Sequence, residues 1–202
     1  MTTYQDNETI RTIRQRHSIR QFQDVPLDDE LIRTMLDCAN RAPSAHNQQS
    51  WQFIVVQGEK KKALAELVTR QCQSFHKPVS TILRMAARTI SSAPAIIAVM
   101  NTGQFIANGS RLFRVDAEQG LDFFRTMEIQ SSSAAVENLL LAATALGLGS
   151  VWLGILFVIK EDILSFLGEQ QGEFMAVVAV GHPHKTSSGP SKKPLDAVIK
   201  YL

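Results

Sequence analysis

The chain has 202 residues, of which 45% are hydrophobic and 20% charged, as in ordinary globular proteins. This length suffices for one domain with a sizeable core, which we expect to span residues 1–202. A net charge of +2 argues against nucleic acid as the main partner. No run of about eighteen apolar residues predicts a membrane span, and no signal peptide is recognisable, so a cytoplasmic location is expected. Cys38 and Cys72 show no metal or redox spacing, and we expect no metal site.

Hydrophobic periodicity predicts mainly helices in the first half of the chain. The first helix is expected over residues 6–17, with Asp6 or Asn7 as its cap. A second helix begins near Asp28, where acidic residues suit the positive end of the helix dipole. The remaining elements predicted in this half are a strand at Gln52–Val56 and helices at Lys60–Gln73 and Val79–Ile90.

The second half of the chain combines strand-length apolar runs with one long apolar helix. Ala95–Met100 is apolar throughout, which indicates a strand covered on both faces, whereas residues 101–128 have the least regular pattern. Ser131–Leu146 leaves almost no polar face, so we expect it to be buried all round, in the core or at a subunit interface. Because helices are grouped rather than alternating with strands, we expect an α+β fold. The last predicted elements are strands at Ser150–Ile155 and Phe174–Val180, a short helix at Glu161–Leu167 and an extended tail to Leu202.

The run Arg16-His17-Ser18-Ile19-Arg20 closes the first predicted helix and precedes an extended segment. Residues two apart on an extended chain point the same way, so Arg16, Ser18 and Arg20 would present their donors together. Two guanidinium groups and a hydroxyl suit a phosphate or an anionic ring edge. A solvated basic helix end is the simpler interpretation of the same residues.

A dense set of neutral polar side chains follows at Pro43-Ser44-Ala45-His46-Asn47-Gln48-Gln49, directly before an apolar strand. Each Asn and Gln presents both a donor and an acceptor. That mixture suits a flat heterocycle with ring nitrogens and carbonyls. The alternative is a polar loop that caps the preceding helix and starts the strand.

Glycines and lysines in the last third of the chain supply two further candidates. Gly154 lies in or just after an apolar strand, where a glycine indicates close approach of the backbone to something flat. Gly147-Leu148-Gly149 is equally explained as a helix cap. Lys192 and Lys193 are ordinarily solvated, but they are the only basic pair late enough to complete a phosphate site begun by Arg16.

Taken in order, these motifs resemble the flavin-binding signature of the nitroreductase family over essentially the whole chain. The resemblance implies a homodimer with a central, mostly antiparallel sheet flanked by helices and a C-terminal tail exchanged with the partner. It implies FMN at the dimer interface and NADH or NADPH as the reductant. The expected activity is hydride transfer from NAD(P)H to the flavin, followed by reduction of a small-molecule acceptor such as a nitroaromatic or a quinone.

The resemblance also assigns roles to the basic segment and to the glycine. Arg16 and Ser18, together with their neighbour His17, would bind the phosphate end of FMN with Lys192 or Lys193. Arg20 would lie near the flavin N1–O2 edge, where a positive charge stabilises the reduced ring. The backbone of Leu153 and Gly154 would face the flavin N5.

The remaining assignments concern the flavin ring and the acceptor. A substrate lid is expected within residues 101–128, and no clear match exists for a mid-chain Asn and Lys pair that some members place on the ring. The residues expected to line the ring and the ribityl chain are Pro43, Ser44, Ala45, His46, Asn47 and Gln49. The residues expected to contact the acceptor are Phe113, Phe123 and Phe124.

Three alternatives to a general oxidoreductase stay open at the level of sequence. The chain could be a non-catalytic protein that stores or senses FMN, since binding and catalytic residues are largely the same here. It could be a specialised member with a dedicated substrate under the lid. A cofactor-free α+β interaction domain is the third, and it predicts a colourless protein. The physiological acceptor and the preference between NADH and NADPH are left open.

Overall fold

One antiparallel sheet organises the protein in the computed structural model, which describes residues 7–169, 171–185 and 188–202. Its strands are β1 (Trp51–Val56), β2 (Ala95–Asn101), β3 (Gly149–Trp152) and β4 (Glu173–Gly181). The strand order is β1-β2-β4-β3, and every neighbouring pair is antiparallel. The prediction of a strand covered on both faces at Ala95–Met100 is confirmed, since all seven residues of β2 are buried.

The described ranges contain seven α-helices, most of which lie on the two faces of this sheet. The helices are α1 (Glu8–Gln15), α2 (Asp29–Asn40), α3 (Gly58–Gln71), α4 (Val79–Ser92), α5 (Gln104–Phe113), α6 (Ala117–Ala145) and α7 (Lys160–Leu167). On one face, α3 and α4 pack against Ile96, Ala98 and Met100 of β2. On the other face, α2 and α6 pack against Ile97 and Val99, as the alternation of side chains along a strand requires. None of these described helices meets the length and hydropathy that a membrane crossing requires.

Residues 101–128, which have the least regular sequence pattern, are nevertheless mostly helical, because α5 and the first half of α6 occupy that stretch. Gly109 explains how two helices with bulky aromatic side chains pack so closely there. A Cβ atom on Gly109 would lie 2.5 Å from the ring of Phe124, so only glycine admits this contact. Gly109, one of the glycines that make the pattern look irregular, therefore serves helix packing.

The helix predicted at Ser131–Leu146 is the second half of the 29-residue α6, and it is not buried all round within one chain. One stripe faces the core, whereas Glu137 is exposed and Leu146 keeps 38% of its side-chain surface. The strand predicted at Ser150–Ile155 ends at Trp152, and a 3-10 turn over Gly154–Ile159 follows it. The buried stripe of α6 consists of Ser131, Ser132, Ala135, Val136, Leu139, Leu140 and Ala143.

The C-terminal tail leaves the sheet after β4 and has no long regular element in its described part, residues 188–202. It contains one 3-10 turn at Leu195–Ala197. Four apolar side chains of the tail are each at least 65% exposed, although apolar surface is normally covered in a folded protein. These side chains are Leu195, Val198, Tyr201 and Leu202.

Candidate functional site

The basic segment lies along the β3 edge of the sheet. Ser18 forms a parallel bridge with Ser150, and the amide of Ile19 donates to the Ser150 carbonyl at 3.0 Å. A Cβ atom on Gly149 would lie 2.8 Å from Ile19, so a glycine is required for this close approach. The segment is thus fixed in an extended form beside the strand that leads to Gly154.

Arg16 and Arg20 reach opposite faces of the sheet, which differs from the expected common direction. The Nε atom of Arg16 lies 3.5 Å from Oε1 of Glu137 on α6, and the Arg16 side chain is only 20% exposed. Arg20 instead lines a cavity with residues of α4, on the other face. The carboxylate of Glu137 supplies the reason, because it attracts the Arg16 guanidinium towards α6.

The tail passes beside the start of the basic segment. A Cβ atom on Gly189 would lie 2.6 Å from the Cβ of His17, so the Gly189 backbone packs closely against the His17 side chain. Lys192 and Lys193 follow within three and four residues, a reach of about 10 to 14 Å along an extended chain. Both lysine side chains are exposed. The structure therefore places Gly189 beside His17 and leaves both lysines within about 14 Å of that contact.

A cavity of about 250 Å³ joins Arg20 to the end of β3. Leu153 and Gly154 line it, but the amide of Leu153 donates to the Val177 carbonyl at 2.8 Å and is thereby used in the sheet. Gly154 begins the 3-10 turn, so its N–H group precedes the first hydrogen bond of that turn. A Cβ atom on Gly154 would meet nothing within 4 Å. The glycine thus presents bare backbone to the cavity, as close approach of a flat ring requires.

The loop before β1 is backbone-strained and held by internal hydrogen bonds. His46, Asn47 and Gln49 have φ values of 53°, 52° and 50°, a left-handed conformation that non-glycine residues seldom adopt. The Ser44 hydroxyl accepts from the Gln49 amide at 3.0 Å. Three such residues within four positions indicate a loop held for function rather than a simple turn. Its side chains at Pro43, His46, Asn47 and Gln49 are exposed, whereas Ser44 and Ala45 are half-buried.

The strained loop and the Arg20 cavity lie at opposite edges of the sheet. The loop leads into β1, one edge strand, whereas Gly154 follows β3, the other edge strand. Three strand spacings separate the edges, which amounts to about 14 Å. A single chain therefore does not bring together the two groups of residues that the sequence predicts around one ring. Two chains can do so, if the loop of one meets the cavity of the other.

Aromatic side chains connect the strained loop to α5 and α6. The rings of His46 and Phe113 are 5.8 Å apart, and Phe113 in turn contacts Phe105 and Phe124. Phe124 is fully buried and so presents no surface to an acceptor in this chain. Phe113 and Phe123 keep 48% and 53% of their surface exposed. These two remain available as acceptor contacts, with Phe124 as their support.

Glu128 is a buried carboxylate that joins α6 to the start of α5. Its Oε1 atom accepts from the amide of Phe105 at 2.8 Å, while Oε2 has no hydrogen-bond partner among the described residues. Burial raises the pKa of the Glu128 carboxyl, and hydrogen bonds from the backbone of Gly103, Phe105 and Ile106 partly oppose that rise. Sequence reasoning missed this residue, because a glutamate between Met127 and Ile129 is ordinarily solvated even where its neighbours are apolar.

Glu128→Gln is expected to alter how stability depends on pH. A carboxyl with a raised folded-state pKa stabilises the protein at low pH, and this contribution is lost as pH rises through that pKa. Glutamine keeps the acceptor for the Phe105 amide and carries no charge, so the variant should gain stability over wild type on going from about pH 5 to about pH 8. Urea unfolding at both pH values measures this. Glu66→Gln, an exposed change on α3, is the control, and an equal shift in both variants would contradict the assignment.

Arg88 is a candidate that sequence reasoning missed. It lies on α4 and lines a cavity of about 540 Å³ together with Arg20 and Met85. Helical periodicity places Arg88 on the exposed face of α4, but it does not show that this face meets the basic segment. No mid-chain Asn and Lys pair was recognised in the sequence, and Arg88 is a cation that the structure places in one cavity with Arg20.

The family model for the nitroreductase family matches residues 13–182 of the chain. This chain belongs to the nitroreductase family. A curated relative from Archaeoglobus fulgidus carries the provisional name NADH dehydrogenase/NAD(P)H nitroreductase and is 32% identical over 182 residues, which cover 87% of this chain and 86% of the relative. A Bacillus subtilis relative, FMN reductase [NAD(P)H], is 25% identical over 194 residues, which cover 95% of this chain and 72% of the relative.

Solved structures agree with this membership of the nitroreductase family. A structure of B. megaterium NfrA2 matches with a TM-score of 0.76 at 27% identity, over 96% of this chain and 74% of that chain. An FMN complex from Desulfovibrio desulfuricans matches with a TM-score of 0.74, also at 27% identity, over 97% of both chains. The predicted α+β fold with an antiparallel sheet flanked by helices is thereby confirmed.

Proposed function

We propose that this nitroreductase-family protein is an FMN-dependent oxidoreductase that uses NADH or NADPH to reduce a small acceptor such as a nitroaromatic or a quinone. The bare backbone of Gly154, opening into a cavity that also contains Arg20, carries this proposal. The named activity of the B. subtilis relative and the FMN complex from D. desulfuricans support it. When bound, FMN supplies the chemistry by which a hydride passes from NAD(P)H to the acceptor.

The phosphate end of FMN would be held where the basic segment meets the tail. Arg16 offers a planar fork of donors, Ser18 a hydroxyl, and Lys192 or Lys193 a further positive charge. The contact of Gly189 with His17 supports this arrangement, because it fixes the tail beside the basic segment three residues before Lys192. To bind the phosphate, the Arg16 guanidinium would have to give up its ion pair with Glu137 or contact both groups at once. A dianionic phosphate is a stronger partner for a guanidinium than one exposed carboxylate.

The flat ring of FMN would lie against the cavity at Gly154. The Gly154 N–H group, at the first position of the 3-10 turn, would donate to a ring nitrogen of the flavin. Arg20, and Arg88 beside it, would place positive charge at the edge of the ring and favour the reduced state. In this scheme the protein orients the ring and supplies charge, and no side-chain acid or base is required.

We further propose that the second half of each site comes from a partner chain. Pro43, Ser44, Ala45, His46, Asn47 and Gln49 would line the ring from the other subunit, and Phe113 and Phe123 would cover the acceptor. The exposed apolar tail would exchange with the partner, where its four apolar side chains would become covered. The half-exposed surface of α6 and the unburied α1 would form the interface.

Gly154→Ala is expected to weaken FMN binding without harming the fold. The added methyl group meets no atom of the chain within 4 Å, so thermal stability of the FMN-free protein should stay the same. The methyl group would occupy the space in which the ring approaches the backbone, and overpacking of this kind costs about 1–3 kcal/mol, or roughly tenfold or more in Kd. Fluorescence titration with FMN measures the effect, and unchanged affinity would remove Gly154 from the site.

The proposed function is tested by the visible spectrum of the purified protein under anaerobic conditions. We expect a yellow protein whose flavin absorbance bleaches on addition of NADH or NADPH and returns on addition of a nitroaromatic or a quinone. A yellow protein that neither reductant bleaches would indicate a flavin-binding protein without this activity. A colourless protein that cannot be loaded with FMN would overturn the proposal entirely.

A further inference from the structure

We propose that the 540 Å³ cavity between the basic segment and α4 binds an anionic group, a carboxylate or a phosphate, carried by the second substrate. The inference deepens the proposed function, because it names a chemical class for a ligand of the same site. The walls of this cavity contain Arg20, Arg88 and His184 together with the polar side chains of Gln21 and Ser92.

The two guanidinium groups have no counter-charge among the residues that the structure describes. No hydrogen bond or ion pair of the Arg20 or Arg88 side chain exists among the described residues, whereas Arg16, Arg41 and Arg125 each have a carboxylate partner there. Two arginines facing one cavity repel each other, and an anion between them would remove that repulsion. Guanidinium groups match the planar oxygens of carboxylates and phosphates with paired donors.

The composition of the cavity wall selects for negative charge. None of the described residues that line it is acidic, and His184 adds a ring N–H group to the donors of the arginines. The amide of His184 donates to the Gln21 carbonyl at 3.0 Å, which fixes the backbone on one side of the cavity. Thr89 and Ser92 direct their hydroxyl groups to carbonyls of their own helix and leave the arginines as the main donors.

The location of the cavity ties the anion to the second substrate. The 540 Å³ cavity and the smaller cavity at Gly154 share Arg20, Met85 and Thr89, so the two are adjacent along α4. The proposed phosphate site of FMN lies elsewhere, at Arg16 on the opposite face of the sheet. The oxidised flavin ring is neutral and would leave both arginines without a counter-charge. An acceptor with a carboxylate, or a reductant with an additional phosphate, supplies one.

Binding of matched neutral and anionic probes to the FMN-loaded, oxidised protein tests the inference without turnover. By calorimetry, 4-nitrobenzoate should bind more tightly than 4-nitrobenzamide if the anion belongs to the acceptor. Adenosine 2′-monophosphate should bind more tightly than adenosine if the anion belongs to the reductant. Arg88→Gln should reduce the preference for the anionic member of the pair about fivefold, and added salt should reduce it in wild type.

Arg84→Gln is the matched control, because Arg84 is an exposed arginine one turn earlier on α4 that lines neither cavity. The inference is upheld if at least one pair shows charge preference that Arg88→Gln reduces and Arg84→Gln leaves unchanged. Equal binding of charged and neutral probes in both pairs overturns it. So does a preference for the anionic probe that falls equally in Arg88→Gln and Arg84→Gln. If the probes bind with this charge preference but neither NADH nor NADPH bleaches the flavin, the proposed function is wrong and the anion site is supported.

Discussion

Arg16→Ala should weaken FMN binding about ten- to hundredfold, since a forked, charge-assisted contact to a phosphate contributes about 1.5–3 kcal/mol. The Arg16 side chain is only 20% exposed, so water screens the contact less than at an open surface. The fold should be retained, because Arg16 follows the last residue of α1 and its only described side-chain partner is Glu137. Equilibrium titration of FMN-free wild type and FMN-free Arg16→Ala with FMN gives the two dissociation constants to be compared.

Two further variants make the Arg16 result specific. Arg14→Ala removes a positive charge from the last turn of α1, two residues away, and should leave FMN affinity nearly unchanged. Glu137→Gln removes the carboxylate that holds Arg16, so FMN should bind equally well or up to about fivefold more tightly. Equal affinity in wild type and Arg16→Ala would place the phosphate elsewhere.

Dilution of the protein should not yield a stable folded monomer. No residue of the eight-residue α1 is buried within one chain, and Ile13 on that helix is 52% exposed. A helix this short is marginal in water unless it packs against something. The exposed tail and the half-exposed side of α6 add further apolar surface that a partner would cover. Folding and association are then one process, so thermal stability should rise with protein concentration.

Sedimentation and circular dichroism over a dilution series to nanomolar concentration measure this dependence. We expect the loss of helical signal to coincide with the loss of the dimer. A monodisperse, fully helical monomer at nanomolar concentration would contradict the interface. So would a thermal midpoint that stays constant across the series.

Local patterns in the sequence predicted the elements whose stability is itself local. Asn7 was one of two candidate caps, and its side chain accepts from the amide of Ile10 in the structure. The continuous apolar run at Ala95–Met100 became the fully buried β2. A helix cap depends on residues within one turn, and a strand buried on both faces consists of consecutive apolar residues. Both features can therefore be recognised in the sequence.

The errors in the fold concern contacts between distant residues. The fit of Gly109 against the ring of Phe124 turns an irregular-looking stretch into two packed helices. The half-exposed side of α6 is apolar like the buried one, so the sequence cannot tell a core face from an interface. Burial of Glu128 likewise arises only when α5 begins beside α6.

The candidate site was predictable in its residue types and only partly in its geometry. The bridge of Ser18 to Ser150 brings Arg20 to Gly154 from 134 positions away, and no local pattern contains it. Arg88 was missed because an exposed arginine on a helix is ordinary until the opposite wall of its cavity is known. The roles assigned to individual residues around the flavin remain predictions.

Subunit mixing tests most directly whether one flavin site is built from two chains. One chain carries Arg16→Ala and Arg20→Ala, the other His46→Glu and Asn47→Asp, and each homodimer should have little NAD(P)H oxidation. Co-expressed chains that pair at random give half heterodimers, each with one intact site, so about a quarter of wild-type activity should return. If both groups of residues served one site within a single chain, no heterodimer would have an intact site. Mixed activity no higher than that of either homodimer would contradict the two-chain site.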